Sequence, residues 1–208
     1  MARSRHASAT TVPTVSSVAA SAGLGVLAAV VGMLTTFVLV PADVRSAVGE
    51  DVASWKGVAW YYYNAHLVEI EVAGGADFGG FGSVSGAETI DFIAQSETAR
   101  VTLLYAVPPL ALALVGAILA SHLGANDLGS AVAVGAPVTL GYVVVMGLGA
   151  VVSEATTEAE FFGIEAAGSM APELLPAVVL AGVLYPLVFA TAGAIGATLL
   201  AENSAPSA

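Results

Sequence analysis

The chain of 208 residues contains no cysteine. That excludes disulfides, thiolate nucleophiles and cysteine-ligated zinc. Basic residues are also scarce. Lysine and arginine total 5 against 16 aspartates and glutamates, for a net charge of −11, and Lys56 is the single lysine. Nucleic-acid binding needs basic patches to neutralise phosphates, so nucleic acid is excluded as a partner. Charge of either sign is thin: charged residues make up 10% of the chain and hydrophobic residues 57%, where a soluble domain carries about 25% charged residues. In water such a globule would expose apolar patches and aggregate. Catalytic signatures are missing as well. There is no Gly-x-Ser-x-Gly, no His-Glu-x-x-His, and no glycine-rich loop followed by Lys-Ser or Lys-Thr. The expectation is a protein that is not an enzyme and holds no cofactor or metal.

What is present is four long runs without Asp, Glu, Lys or Arg: 18–40, 101–123, 130–152 and 174–201. The first, of 23 residues, would reach about 34 Å as a helix, enough for a hydrocarbon core of about 30 Å. Lipid satisfies no backbone polar group, so each run must be helical. The first has a long polar lead and exceeds the apolar length of a signal peptide, which predicts a retained anchor. The expected fold is an all-α membrane protein. It has four transmembrane helices in two hairpins, with a small α+β extracytoplasmic cap.

The organisation follows. Residues 1–17 form a disordered cytoplasmic tail and 18–40 the first span. Residues 41–100 form the cap, 101–123 the second span and 124–129 a tight polar turn. Residues 130–152 form the third span, 153–173 an acidic outer loop, 174–201 the fourth span and 202–208 a second tail. Arg3 and Arg5 make the first tail basic, whereas the carboxylates concentrate in the two long loops. A basic tail fits a cytoplasmic start. This predicts a multi-pass protein of the cell membrane with both termini cytoplasmic and both long loops outside. Few lysines and many carboxylates suit very salty water, where charge repulsion is screened within about 3 Å at 1 M salt.

The cap carries the most distinctive segment, Trp55-Lys-Gly-Val-Ala-Trp-Tyr-Tyr-Tyr-Asn-Ala-His66. Aromatic rings with polar tips favour membrane interfaces, so this stretch is expected at the outer membrane surface. Successive helical residues point about 100° apart. Some of Trp60, Tyr61, Tyr62 and Tyr63 should therefore face lipid or headgroups while others pack under the following strand. Asn64 and His66 would fix the bend between helix and strand. Val68, Ile70 and Val72 alternate with Glu69 and Glu71, the period of a half-buried strand. The glycines from Gly74 to Gly86 read as a flexible or turn-rich segment. Thr89–Ile93 reads as a second short strand or a helical turn, and Ser96 as the N-cap of the second span.

The run Gly57-Val-Ala-Trp-Tyr-Tyr-Tyr-Asn-Ala-His66, followed by the alternating strand, resembles a motif of haloarchaeal membrane proteins of unknown function. The resemblance implies a salt-loving source and a four-span topology; it carries no activity.

His66 with Glu69, Glu71 or Asp77 is the one candidate metal constellation, but its spacing matches no known site. His6 and His122 read as solvated terminal residues. The spans hold no ionisable acid or base of the kind that lines ion pathways. Their prolines at 108, 109, 137, 176 and 186 read as tolerated kinks. Small residues recur four apart, as in Gly25/Ala29, Ala28/Gly32, Ala113/Ala117, Gly116/Ala120, Ala190/Ala194 and Gly193/Ala197, which suits close helix packing. The reading is a non-enzymatic scaffold, accessory subunit or envelope component of a halophile. The lipid bilayer is one partner, and a membrane protein or a second copy is the other candidate. Two alternatives stand beside it: a small channel or transporter subunit, and a membrane enzyme or metal-binding protein using His66.

Overall fold

The computed structural model describes residues 14–40, 44, 47–48, 52–78, 82–161 and 164–204. Arg3, Arg5, Arg45, His6, Asp43, Glu50, Asp51, Gly79 and Gly80 lie outside the described residues. Among the described residues, four helices are long and apolar enough to cross a membrane: α1 (Val15–Leu39), α4 (Ala99–Leu123), α5 (Leu128–Val152) and α6 (Leu174–Asn203). A short helix α2 (Ser54–Asn64) and strands β1 (Ile70–Asp77) and β2 (Ser83–Ile90) lie between α1 and α4, followed by the single turn α3 (Phe92–Gln95). Strands β3 (Ala155–Phe161) and β4 (Ile164–Pro172) lie between α5 and α6. The layout is that of a multi-pass membrane protein with a β-containing cap. Leu34, Val38, Leu110, Leu114, Leu148 and Leu200 stand exposed around the bundle, as side chains that meet lipid do.

Local chemistry sets the helix ends. Thr14 caps α1, its hydroxyl accepting from the Ser17 N–H. Asp127 and Ser130 form a reciprocal capping box that starts α5, so α5 begins at Leu128, before the apolar run itself. Gly124 ends α4 at φ +67°, a left-handed turn that glycine enters without Cβ strain. The N-cap of α4 is Thr98 rather than Ser96. Ser96 Oγ accepts from the Thr98 N–H instead, and Arg100, expected in the cap, lies in the first turn of α4. Pro108 and Pro109 supply no N–H to the preceding turn, and Leu103–Ala106 tightens there to 3₁₀ spacing. In α6, Ala177–Leu184 widens to a π-type stretch between Pro176 and Pro186.

The hairpins of the chain are not the tightest packing pairs. An added Cβ would lie 2.1 Å from the Val138 oxygen at Gly25 and 1.8 Å from the Ala22 oxygen at Gly141, which joins α1 to α5. At Gly116 it would lie 1.8 Å from the Ala190 oxygen and at Gly193 1.9 Å from the Ala113 oxygen, which joins α4 to α6. Alternate spans therefore meet backbone to backbone through missing side chains, the arrangement small residues permit in lipid.

The cap is built by both loops. The sheet order is β2-β1-β4-β3, all antiparallel. Residues 153–173, expected as an acidic loop, supply half of the strands. Strands β1 and β2 from one loop and β3 and β4 from the other share one sheet and so lie at the same end of the bundle. Among the described residues of the glycine segment, Gly74 and Gly75 lie in β1 and Gly86 in β2, and Gly74 pairs with Gly86 on one side and Gly168 on the other. Thr89 and Ile90 end β2, and Phe92 and Ile93 begin α3, so both expected readings of 89–93 are realised in succession. Alternation places Ile70, Val72, Val84, Ile90, Met170 and Pro172 on one face of the sheet. Glu71, Asp77, Glu158, Glu160 and Glu165 lie on the other.

Candidate functional site

The aromatic segment lies inside the molecule. From Gly57 to His66 every residue is buried, and Trp60, Tyr61, Tyr62 and Tyr63 are between 0% and 3% exposed. None of the four stands on the bundle's outer surface. The 100° rotation between residues still holds, but from Gly57 onward α2 is buried on all its faces. Glycines make that possible. A Cβ at Gly32 of α1 would lie 2.4 Å from the Tyr62 hydroxyl, and one at Gly149 of α5 2.6 Å from the Tyr63 hydroxyl. A Cβ at Gly57 would lie 2.4 Å from Val44.

Each polar tip finds a partner. Trp60 Nε1 donates to the Ser153 carbonyl at 3.1 Å, and the Tyr63 hydroxyl donates to the Met146 carbonyl. Phe92 of α3 stacks on Trp60 at 6.2 Å and on Tyr61 at 5.5 Å between ring centroids. Trp55, at the start of α2, is 45% exposed and stands apart from this cluster.

Asn64 ties four elements together. Its Nδ2 donates to the Val68 carbonyl at 2.9 Å and to the Ile90 carbonyl at 3.4 Å, and its Oδ1 accepts from the Phe92 N–H at 2.9 Å. The end of α2, the approach to β1, the end of β2 and the start of α3 all meet on one amide. The turn between α2 and β1 closes with Leu67 N–H donating to Asn64 and Val68 N–H to Tyr63, while Leu67 takes φ +61°. That is the Schellman pattern that usually carries glycine at this position.

His66 sits at the centre. Its Nδ1 lies 2.7 Å from the Tyr62 carbonyl and its Nε2 2.7 Å from the Tyr142 hydroxyl. The Tyr62 and Tyr142 hydroxyls are 2.7 Å apart. A carbonyl only accepts, which fixes the proton on Nδ1 and leaves Nε2 as the acceptor. The Tyr142 hydroxyl then donates to Nε2, and the Tyr62 hydroxyl donates to Tyr142. The result is a closed ring running from the Tyr62 hydroxyl through Tyr142 and His66 back to the Tyr62 main chain. The Tyr62 ring stands edge-on to His66 at 4.7 Å, and Tyr185, at the end of the π-type stretch, lies 5.0 Å away. Burial lowers the His66 pKa from 6.5 to about 4, against the opposing effect of the Tyr62 carbonyl bond. The imidazole is therefore neutral at pH 7, as the ring requires.

Both His66 nitrogens are thus engaged by Tyr62 and Tyr142, while Glu69, Glu71 and Asp77 are exposed. Among the described residues no three His, Asp or Glu side chains are grouped to hold a metal ion. The structure brings together all six residues singled out in the sequence and adds Tyr142, Tyr185 and Phe92. Tyr142 and Tyr185 sit in apolar runs, where a lone tyrosine gives no signal of its partner. His122 lies in the last turn of α4. No curated protein and no solved structure matches the chain. A model described as a family of unknown function, DUF7978, matches residues 1–201, and the chain belongs to that family.

Proposed function

We propose that the chain is a non-enzymatic membrane scaffold of a halophile, anchored by four spans, with its termini cytoplasmic and its sheet outside. On this reading the cap recruits a protein partner, or a second copy, by strand addition to β2. The observation that carries it is the edge of the sheet. β2 is the outermost strand next to β1, and its residues 83–89 are all exposed. An edge strand presents unpaired N–H and C=O groups to a further strand, and natural sheets guard such edges with charge, proline or bulges. The opposite edge, β3, carries Glu158 and Glu160. β2 carries one charge, Glu88, among serine, glycine and alanine, and Val84 on it is 67% exposed. The buried centre supports the non-enzymatic part of the reading, because its ring of hydroxyls and imidazole is spent on mutual bonds.

The test is site-specific photo-crosslinking in native membranes. A photoreactive residue at Ser85 should give a discrete adduct, and one at Thr157 on β3 should not. Val84→Lys should abolish the Ser85 adduct while leaving melting unchanged. Adducts of equal yield from both edges, or none from either, would remove the scaffold reading in this form.

A further inference from the structure

A narrow groove of about 210 Å³ runs between α1 and α5 at the sheet end of the bundle. Val30, Met33 and Leu34 wall one side, Val145 and Val152 the other, and Tyr62 and Tyr63 line it from within. Both tyrosine hydroxyls are committed, one to Tyr142 and one to the Met146 carbonyl, so what they offer the groove is ring hydrocarbon. Val30, Leu34 and Val152 are 44%, 60% and 59% exposed on the bundle's outer surface. The groove therefore opens sideways among the lipid-facing residues of the spans.

The mouth is different in character. Trp55 lines it, and indole rings settle at headgroup level. The Lys56 ammonium lies 5.7 Å from the centre of the Trp55 ring and donates to the Glu154 carbonyl, two residues past the end of α5. Among the described residues it meets this carbonyl and this aromatic face, and no carboxylate. It is also the only lysine of a chain with net charge −11. One cation thus stands just past the end of the apolar span, beside the tryptophan that lines the slot. A slot of about 210 Å³ does not hold a helix about 10 Å across with its side chains, whereas it takes part of a single acyl chain.

We propose that this groove binds one anionic phospholipid, its acyl chain lying along Tyr62 and Tyr63 and its phosphate paired with Lys56. Among the described residues the Glu154 carbonyl takes one Lys56 donor, and an ammonium has further donors for a charge-assisted bond to phosphate. The apolar slot alone would accept any acyl chain; the lysine makes the headgroup matter.

The test uses the full chain in phosphatidylcholine bilayers containing a few mole per cent of lipid with brominated acyl chains, which quench tryptophan on contact. The chain has two tryptophans, and Trp60 is fully buried, so quenching reports Trp55. Brominated phosphatidylglycerol should bind about fivefold more tightly than brominated phosphatidylcholine, the ratio that roughly 1 kcal/mol for one basic residue near an anionic headgroup corresponds to. Lys56→Gln should bring the two lipids level, Lys56→Arg should keep the preference, and Val30→Phe should weaken quenching by both. Equal quenching by both lipids in the wild type would overturn the proposal, as would a preference that survives Lys56→Gln.

Discussion

His66 is the residue on which the centre turns. A buried imidazole held neutral by its surroundings makes folding depend on pH in one direction. Its pKa falls from 6.5 to about 4 on folding, so between those values the unfolded chain binds a proton that the folded chain refuses. Stability is full above pH 6.5 and falls as pH drops towards 4, by at most about 1.4 kcal/mol per pH unit. The window from 6.5 to 5, inside that interval, is the one to measure in reversible unfolding. His66→Gln, which keeps a donor and an acceptor, should flatten the curve in that window; an unchanged slope would show that another group carries it. The residues of this centre were partly legible in the sequence. The run from Trp60 to His66 stands out by composition, and its place before a strand pointed to a bend at Asn64 and His66. Its depth was not legible. The expectation that some rings face lipid treats α2 as a surface helix, and only the tertiary fold shows α1 and α5 closing around it. Tyr142 had no local signal at all, because the bond that matters joins residues 76 apart in the chain.

At the scale of elements, missing side chains set the spacing of the helices. Gly116 and Gly141 each approach a neighbouring carbonyl so closely that a Cβ would lie 1.8 Å from it, whereas at Gly23 nothing comes within 4 Å. Alanine at Gly116 or Gly141 must push two backbones apart, an overpacking cost of about 1–3 kcal/mol. Gly23→Ala should be neutral or stabilising by up to about 1 kcal/mol, because alanine is the better helix former. Thermal melting of the three variants in detergent at high salt decides this, and equal losses at all three positions would refute it. The small-residue spacing was visible in sequence, and Gly25, Gly116 and Gly193 lie where it indicated. Which spans pair was not visible, since a stripe of small residues names no partner. Glycine misled in the cap for a related reason. Gly74 and Gly86 look like part of a turn-rich stretch when read along the chain, and Gly168 stands in another loop. They become a row across three strands only when β1 and β4, from different loops, are brought together.

Across the whole molecule the spans were legible, because lipid forces long uncharged runs, while the sheet was not, because its central pairing joins two loops separated by two spans. That pairing also concentrates charge. In register, Asp77 stands opposite Glu165, and Glu165 opposite Glu160, so three carboxylates line up across β1, β4 and β3 at the far end of the sheet. Like charges directly opposite one another destabilise a strand pair. At molar salt the repulsion is screened over about 3 Å, and at 0.01 M it reaches about 30 Å. The end of the sheet away from the bundle should therefore open first as salt is withdrawn, while the centre around Trp60, Asn64 and His66, which holds no formal charge, stays closed. Amide hydrogen exchange reads both regions at once. Residues 74–77 and 164–167 should lose protection by an order of magnitude or more between 2 M and 0.05 M salt, in keeping with a few like-charge contacts of up to about 1 kcal/mol each. Glu165→Gln removes the middle charge of the row and should cancel most of that change, whereas Glu88→Gln, which lies on the other face, should not. Protection that ignores salt in the wild type would sever the link between the acidic composition and the proposed salt-rich habitat, and leave the row of carboxylates without a physical reason.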